Sequence, residues 1–392
     1  MAHIIDAQKR TLQLADVLRK HINTYQQQYR LWPEHRKILY DLLNCRTAQL
    51  GGHIDRCDHC GVMRIVYHSC RNRHCPTCQH MPRERWLERR KQEILPISYF
   101  HVVFTLPHEL NPVILNNKRV MLTLLFKAAS QSLLTFGENT LGGKLGFIAT
   151  LHTWDQKIKA HFHLHCLVAG GAVSKDGLSW IPCKGDYLFN QRALSLVFRG
   201  KFMTYMKRAC QLEALKFADE QYQNLKARLY QKPWIIDVRD PVKQPEHVLE
   251  YLARYTHRVA IANSRITALK DGMVTFTSKN RKKNRTEPVT VTAVEFIHRF
   301  LLHSLPKGFV RIRHYGFLAN RDRSKKLTAI RHLMGLSDPS DQCISTIEEM
   351  IKKLTGIDIS VCPRCQKAKM RLFWQMPKGM ARPPNPLAFA VA

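Results

Sequence analysis

The sequence predicts an α+β protein in which a cysteine-rich zinc-binding module precedes a core of antiparallel strands flanked by helices. Two Cys-x2-Cys pairs mark the module, Cys57 with Cys60 and Cys75 with Cys78. From Ile97 onward, apolar segments with a period of two alternate with segments of helical period. Two of the strand segments are separated by a short polar link, which favours an antiparallel hairpin.

The chain carries a large excess of positive charge, because 62 Lys and Arg residues against 30 Asp and Glu give +32. Such an excess repels itself in a compact fold unless a polyanion compensates it. We therefore expect nucleic acid as the partner. An anionic membrane surface is the alternative, but no long amphipathic basic helix and no lipidation signal supports it.

The first residues, Met1 to Arg10, are polar and lack the apolar segment of a signal peptide. No window approaches the apolar length that spans a bilayer, so we expect a cytoplasmic protein. In that reducing compartment, close pairs among the 12 cysteines indicate metal binding rather than disulfides.

The two N-terminal Cys-x2-Cys pairs predict one structural zinc site, because each pair supplies two thiolates from a tight turn. Its expected ligands are Cys57, Cys60, Cys75 and Cys78. Other residues of the segment are surface residues, substitutes for one ligand, ligands of a second site or contacts to DNA phosphates: Cys70, His53, His59, His68, His74 and His80. A second pair, Cys362 and Cys365, is half a zinc site, either without metal or completed by Cys343 or a histidine.

Residues 161–171 form a predicted β-strand, an apolar run that ends in a glycine pair. Because side chains alternate along a strand, His163 and His165 point to the same face. They are either half of a divalent-metal site or a pair of buried histidines. The third ligand stays open among Gln156, His152 and His257.

Residues 245–258 have a helical pattern, and Pro245 suits the first turn. Tyr251 and Tyr255 lie four residues apart, so one stacks over the other on one face of the helix. From spacing alone they are also compatible with two core tyrosines that cover the sheet.

The remaining patterns complete the α+β prediction. The expected elements are strands at 98–106, 146–154 and 234–238, helices at 112–136 and within 190–230, and a hairpin around Asp271-Gly272. The basic run 279–285 is either a solvated loop or a phosphate clamp. The proline-rich segment from Met376 is expected to be loose.

Several of these motifs, in this order, resemble the HUH superfamily of single-strand endonucleases, and more closely the rolling-circle transposases of the IS91 type. The motifs are Ser69-Cys70-Arg71-Asn72-Arg73-His74-Cys75-Pro76-x-Cys78, His101-Val102-Val103-Phe104-Thr105-Leu106-Pro107, Leu151-His152-Thr153-Trp154, His163-Leu164-His165-Cys166-Leu167-Val168 and Tyr251-Leu252-x-Arg254-Tyr255-Thr256-His257-Arg258. The resemblance runs from about Cys45 to about Met370.

The resemblance implies a zinc-binding module followed by an HUH endonuclease core, an antiparallel ferredoxin-like sheet flanked by helices. It implies domains at 1–95 (helical and zinc-binding), 96–320 (catalytic) and 321–392 (a basic segment with a cysteine pair and a loose tail). It also implies Mg²⁺ or Mn²⁺ on His163 and His165, and Tyr251 and Tyr255 as nucleophiles.

The expected partner is DNA, single-stranded or folded as hairpin ends of the enzyme's own element, with the enzyme on the bacterial nucleoid when bound and no role for a membrane. The basic residues expected to contact DNA are Arg71, Arg73, Arg254, Arg258, Lys282, Lys283, Arg311 and Arg313. The sequence fixes neither the oligomeric state nor the tyrosine that acts first.

The expected activity is transposition, in which single-stranded DNA is nicked and joined through a covalent 5′-phosphotyrosine. A replication initiator or conjugative relaxase with the same chemistry is the first alternative. A non-catalytic zinc protein that binds nucleic acid is the second.

Overall fold

The structure is a computed structural model that describes residues 11–91, 93–244, 247, 248, 250, 255, 256, 258–280, 283–337 and 345–380. Its α-helices include α1 (Leu14–Gln28), α2 (Pro33–Leu43), α3 (His80–Lys91), α4 (Asn111–Asn116), α5 (Lys118–Phe136), α6 (Gln191–Gln211), α7 (Asp219–Gln231), α8 (Ala293–Leu302), α9 (Arg323–Leu333) and α10 (Ile347–Thr355).

The strands in the same ranges are β1 (Gly52–Cys57), β2 (Met63–Tyr67), β3 (Tyr99–Thr105), β4 (Gly143–Trp154), β5 (Ala160–Ser174), β6 (Trp180–Pro182), β7 (Ile236–Val242), β8 (Ile266–Lys270), β9 (Met273–Asn280), β10 (Arg285–Thr292), β11 (Ile312–Gly316) and β12 (Met370–Met376). The mixture of helices and antiparallel sheets confirms the predicted α+β class.

The chain divides into two compact units, and both are discontinuous in sequence. The first contains the described residues of Met1–Arg85, Ile261–Leu301 and Gln342–Ala392, and the second those of Trp86–Ala260 and Leu302–Asp341. This division differs from the three consecutive domains expected from the sequence. The physical reason is strand pairing, because β12 from the C-terminal part pairs with β1 from the N-terminal part.

The second unit is built on a sheet with the strand order β11-β4-β5-β3-β7, and β6 pairs with β5 outside this path. β4 and β5 form the predicted antiparallel hairpin, and β3 pairs with the other edge of β5. The histidine strand β5 is therefore central in the sheet. A central strand has both edges hydrogen-bonded, so its backbone and the direction of each side chain are fixed.

The alternation along β5 separates an apolar face from a polar face. Phe162, Leu164, Cys166 and Val168 pack into a large apolar core with residues of β3, β4, α5 and α6. Each large apolar side chain buried in this way contributes roughly 1.5–3 kcal/mol to folding. The intervening histidines must then lie on the opposite face.

Helix α5 packs in that same core, although its composition resembles that of a membrane span. Within the described residues, Lys118–Leu141 is long and apolar enough to cross a bilayer, but 56% of its most apolar stretch is buried within the protein. The expectation that no segment approaches that length is therefore wrong. A helix that is apolar on most sides is also the ordinary composition of a core helix in a large protein.

The first unit contains two three-stranded sheets, with the orders β12-β1-β2 and β10-β9-β8. The predicted hairpin around Asp271-Gly272 is confirmed as β8–β9, and both turn residues have positive φ, +51° and +73°. Positive φ at both positions defines the tight turn that suits the twist of a hairpin. The expectation of a loose chain from Met376 is wrong up to Gly379, whose N–H donates to the Gln49 carbonyl oxygen at 3.0 Å.

Candidate active site and cysteine clusters

Three histidines meet on the polar face of the second unit's sheet. His152 lies on β4, and His163 and His165 lie on β5. Strand pairing sets His152 opposite His163, and Thr150 opposite His165. One ring nitrogen from each histidine lies within 4.8 Å of the others, and all three residues are buried. The predicted pair thus gains a third imidazole from the neighbouring strand, and together they could hold a divalent metal ion.

Hydrogen bonds to carbonyl oxygens fix the protonated nitrogen of two of these rings. His163 donates from Nδ1 to the His161 carbonyl oxygen at 2.9 Å, and His152 donates from Nε2 to the Tyr255 carbonyl oxygen at 2.7 Å. A carbonyl oxygen can only accept, so each bonded nitrogen carries the hydrogen. In the neutral rings, His163 Nε2 and His152 Nδ1 keep their lone pairs for a ligand.

The third ring, His165, contacts a histidine that sequence reasoning did not single out. His165 Nδ1 lies 2.9 Å from Nε2 of His101 on β3, and the two rings stack at 5.1 Å between centroids. On β3, Thr105 pairs with His163 and Val103 with His165, whereas Val102 and Phe104 lie in the apolar core. Because side chains alternate along a strand, His101 shares the polar face with Val103 and Thr105. The sequence did not indicate that His101 contacts His165, because that contact depends on which strand pairs with β3.

Burial favours the neutral form of two histidines of this cluster, His152 and His165. The pKa of His152 is lowered to about 3, mainly by burial; the hydrogen bond to the Tyr255 carbonyl oxygen raises it, and the positive charges of Arg258 and Arg311 lower it. Burial also lowers the pKa of His165 well below its usual value, with the neighbouring histidines adding to the effect. Only a neutral imidazole has a lone pair for a metal ion, so these rings are in the protonation state that metal binding needs.

Tyr255 lies against the histidine cluster. Its ring centroid is 4.2 Å from that of His165, 5.2 Å from that of His101 and 6.0 Å from that of His152. Tyr251, the other predicted nucleophile, lies outside the described residues, as do Arg254 and His257. Gln156, the remaining candidate for the third ligand, lies in the turn between β4 and β5.

The predicted grouping of Cys57, Cys60, Cys75 and Cys78 in one site is wrong. The structure forms two clusters of four sulfurs: Cys45 with Cys70, Cys75 and Cys78, and Cys57 with Cys60, Cys362 and Cys365. In the described residues neither cluster includes a histidine. The reason is that β2 carries the chain away from the Cys57 pair before it reaches the Cys75 pair. Cys45 was missed because a single cysteine carries no pair signal.

The sulfur spacing in both clusters fits a tetrahedral ion. In the first cluster, Cys78 Sγ lies 3.4 Å from Cys45 Sγ and 3.6 Å from Cys70 Sγ. In the second, Cys57 Sγ lies 3.7 Å from Cys365 Sγ. A zinc–sulfur bond of about 2.3 Å requires about 3.8 Å between the sulfurs of a tetrahedron. The chemistry of four thiolates also matches zinc.

The predicted DNA-contacting residues have different environments. Arg258 is exposed, and its carbonyl oxygen accepts a 2.7 Å hydrogen bond from Nη1 of Arg311. Arg313 instead stacks its guanidinium over the Phe126 ring at 4.0 Å, which commits it to packing. Arg71 and Lys283 are exposed and Arg73 is half-buried, whereas Lys282 lies outside the described residues.

The chain thus combines an antiparallel sheet that carries a cluster of three histidines with two clusters of four cysteines, which defines a metal-binding class of protein. A family model described as "Putative transposase" (Y2_Tnp) matches residues 146–326, which include the three histidines and Tyr255. A second model, "Transposase zinc-binding domain" (Zn_Tnp_IS91), matches residues 17–106, which include the whole first cysteine cluster.

Two curated transposases are similar over most of the chain. "Putative transposase y4qJ" of Sinorhizobium fredii is 41% identical over 91% of this chain and 94% of its own length. The transposase for insertion sequence element IS801 of Pseudomonas savastanoi pv. phaseolicola is 24% identical over 83% of this chain and 80% of its own length. A solved structure of the conjugative relaxase TrwC with oriT DNA matches with 13% identity and a TM-score of 0.24, over 42% of this chain and 71% of that one.

The chain belongs to the family of IS91-type transposases. It is a transposase, an enzyme of DNA transposition, and it carries the zinc-binding domain of that family.

Proposed function

We propose that this transposase nicks and joins single-stranded DNA through a covalent 5′-phosphotyrosine on Tyr255, beside a divalent metal ion bound by His152, His163 and His165. The observation that carries the proposal is the position of Tyr255. Its ring lies 4.2 Å from that of His165, and its carbonyl oxygen accepts the hydrogen bond of His152. The candidate nucleophile and the candidate ligands are thus adjacent.

The donor set supports a divalent ion and favours one of the two expected ions. The three ring nitrogens lie within 4.8 Å of one another, so one ion can lie among them. Mg²⁺ takes oxygen ligands and keeps its waters, whereas imidazole suits transition metals. Of Mg²⁺ and Mn²⁺, the second is the better fit. Such an ion supplies polarisation of the phosphoryl oxygens and orientation of the scissile bond.

The hydrogen bond between His165 and His101 sets a condition on this site. His165 can offer Nε2 to a metal only if its Nδ1 carries the hydrogen and donates to His101 Nε2. His101 is then a positioning residue, which orients the ring of His165 and selects its tautomer.

The reaction at Tyr255 exchanges one phosphate ester for another. The phenol oxygen attacks the phosphorus, the bond from phosphorus to the 3′ oxygen breaks, and the phenol proton is released as the 3′ oxygen leaves as a hydroxyl. The 3′-hydroxyl of another strand can reverse the step without ATP, because the ester bond is conserved. Tyr251 would hold a second strand in the same way, which suits rolling-circle transposition.

Positive charge near the histidine cluster supports a DNA backbone as the substrate. The charges of Arg258 and Arg311 are close enough to His152 to lower its pKa further. The net charge of +32 provides the long-range attraction. We expect single strands, or hairpin ends of the enzyme's own element, to bind with a phosphate near these arginines.

The test is covalent capture of a labelled single-stranded oligonucleotide from the element's end in Mn²⁺, followed by a denaturing gel. The wild type and Tyr187→Phe should form the adduct, since Tyr187 is an exposed tyrosine outside the site. Tyr255→Phe should lose most of it. An undiminished adduct in the Tyr255→Phe, Tyr251→Phe double variant would refute the nucleophile assignment.

A further inference from the structure

We propose that Cys57, Cys60, Cys362 and Cys365 bind a second structural zinc ion, which fastens the C-terminal segment into the N-terminal zinc-binding domain. The family model for that domain ends at residue 106, so it covers the first pair of this set and not the second. The site goes beyond the transposase chemistry and does not depend on it.

The four sulfurs are arranged as two facing pairs. Cys57 Sγ lies 3.7 Å from Cys365 Sγ, and Cys60 Sγ lies 3.6 Å from Cys362 Sγ. Each contact joins one pair to the other, as the edges of a tetrahedron require. Cys57 and Cys362 are buried beside Val62, which shields the site from water. Four thiolates at this spacing are a ligand set that zinc satisfies.

The same type of backbone turn also occurs at each of the two cysteine pairs. The N–H of Gly61 donates to the Cys57 carbonyl oxygen at 3.1 Å, and the N–H of Gln366 donates to that of Cys362 at 3.0 Å. Gly61 has φ +65° and Gln366 has φ +54°. A left-handed glutamine costs free energy unless its surroundings hold it there.

The repeated turn directs backbone N–H groups at the first sulfur. His59 N lies 3.4 Å and Cys60 N lies 3.5 Å from Cys57 Sγ. Such donors stabilise a thiolate rather than a thiol. The recurrence of this turn at both pairs indicates two halves of one metal site, and it explains the left-handed conformation of Gln366.

The ion would act together with strand pairing. β12 follows Cys365 directly and pairs with β1, so that Met370 lies opposite Cys57. Arg64 adds a hydrogen bond from Nη1 to the Ile359 carbonyl oxygen at 2.9 Å. These contacts join segments about 300 residues apart, and ordering such a long loop is entropically costly. A metal ion that binds only the folded arrangement offsets this cost.

The experiment substitutes ¹¹³Cd²⁺ into the full-length protein and counts tetrathiolate resonances by NMR. We expect two in the wild type and one in the Cys362→Ser, Cys365→Ser double variant. A matched double variant at cysteines outside both clusters, Cys183→Ser with Cys210→Ser, should keep two. A single tetrathiolate resonance in the wild type would overturn the proposal, and so would two in the Cys362→Ser, Cys365→Ser variant.

A conservative variant guards against a general loss of folding. Cys365→His keeps four donors, and it should move one resonance to the range of three sulfurs and one nitrogen while the other stays in place. Two unmoved resonances would contradict the site. Hydrogen exchange gives an independent readout: amides of β12 should lose protection in the Cys362→Ser, Cys365→Ser variant while those of β9 keep it.

Discussion

His152 donates a 2.7 Å hydrogen bond from Nε2 to the main-chain carbonyl oxygen of Tyr255. His152, on β4 of the second unit's sheet, thereby holds the backbone of the candidate nucleophile Tyr255. The same bond leaves His152 Nδ1 with a lone pair beside the other two histidines. This one hydrogen bond thus holds Tyr255 in position and also leaves His152 ready to bind a metal ion.

Removal of the His163 side chain should abolish binding of Mn²⁺. His161→Ala is the matched control, because His163 donates to the carbonyl oxygen of His161, which that substitution retains. We expect His161→Ala to bind Mn²⁺ with an affinity close to that of the wild type, measured by calorimetry. Metal-dependent cleavage should likewise be lost in His163→Ala and kept in His161→Ala. Equal affinities for His163→Ala and wild type would exclude His163 as a ligand.

Replacement of His101 should weaken metal binding without removing a ligand. We expect His101→Ala to lower the Mn²⁺ affinity about 10- to 100-fold, the usual effect of losing a group that orients a ligand. His101→Gln should restore much of it, because its amide oxygen can accept from His165 Nδ1. If the His101→Ala and His101→Gln variants bind Mn²⁺ equally well, His101 does not act through its hydrogen bond to His165.

The two tyrosines should differ from other tyrosines in strand transfer. We expect Tyr251→Phe and Tyr255→Phe each to reduce joining of a donor strand to a target, with folding and DNA binding unchanged, because phenylalanine lacks only the attacking oxygen. Joining is measured with labelled donor and target oligonucleotides, and binding with the same oligonucleotides by fluorescence anisotropy. Full strand transfer by either variant would remove that tyrosine from the mechanism.

Buried His303 should make folding sensitive to acid. It accepts from the Thr153 hydroxyl at 3.2 Å and donates from Nε2 to the Ile158 carbonyl oxygen at 3.0 Å, so the neutral ring has both partners. Burial lowers its pKa from 6.5 to about 4. Below pH 6.5 the unfolded chain binds a proton that the folded protein refuses, so stability falls until the pH reaches about 4.

His303 changes the free energy of unfolding by at most about 1.4 kcal/mol per pH unit. His303→Gln keeps a donor and an acceptor but does not titrate. Urea unfolding of both proteins should show the free energy of unfolding falling more steeply in the wild type between pH 6.5 and 4. Parallel pH profiles would contradict the role of His303.

Local patterns were sufficient for some of the elements, among them β3, β4, β5 and the β8–β9 hairpin, and for half of the site. The period of two along β5 placed His163 and His165 on one face, and Asp271-Gly272 marked the β8–β9 hairpin. Both features could be predicted because they depend on neighbouring residues alone. The hairpin of β4 and β5 followed from the short link between them. Their register did not, and that register selects His152 as the third imidazole.

Contacts between distant segments were decided by the tertiary structure. The sequence showed that cysteine pairs exist, but not that Cys45 joins one cluster or that Cys362 and Cys365 complete the other. It placed His101 on a strand without showing that this strand lies beside His165. The physical reason is that spacing along the chain specifies which way a side chain points, whereas strand order and chain closure specify which side chain it meets.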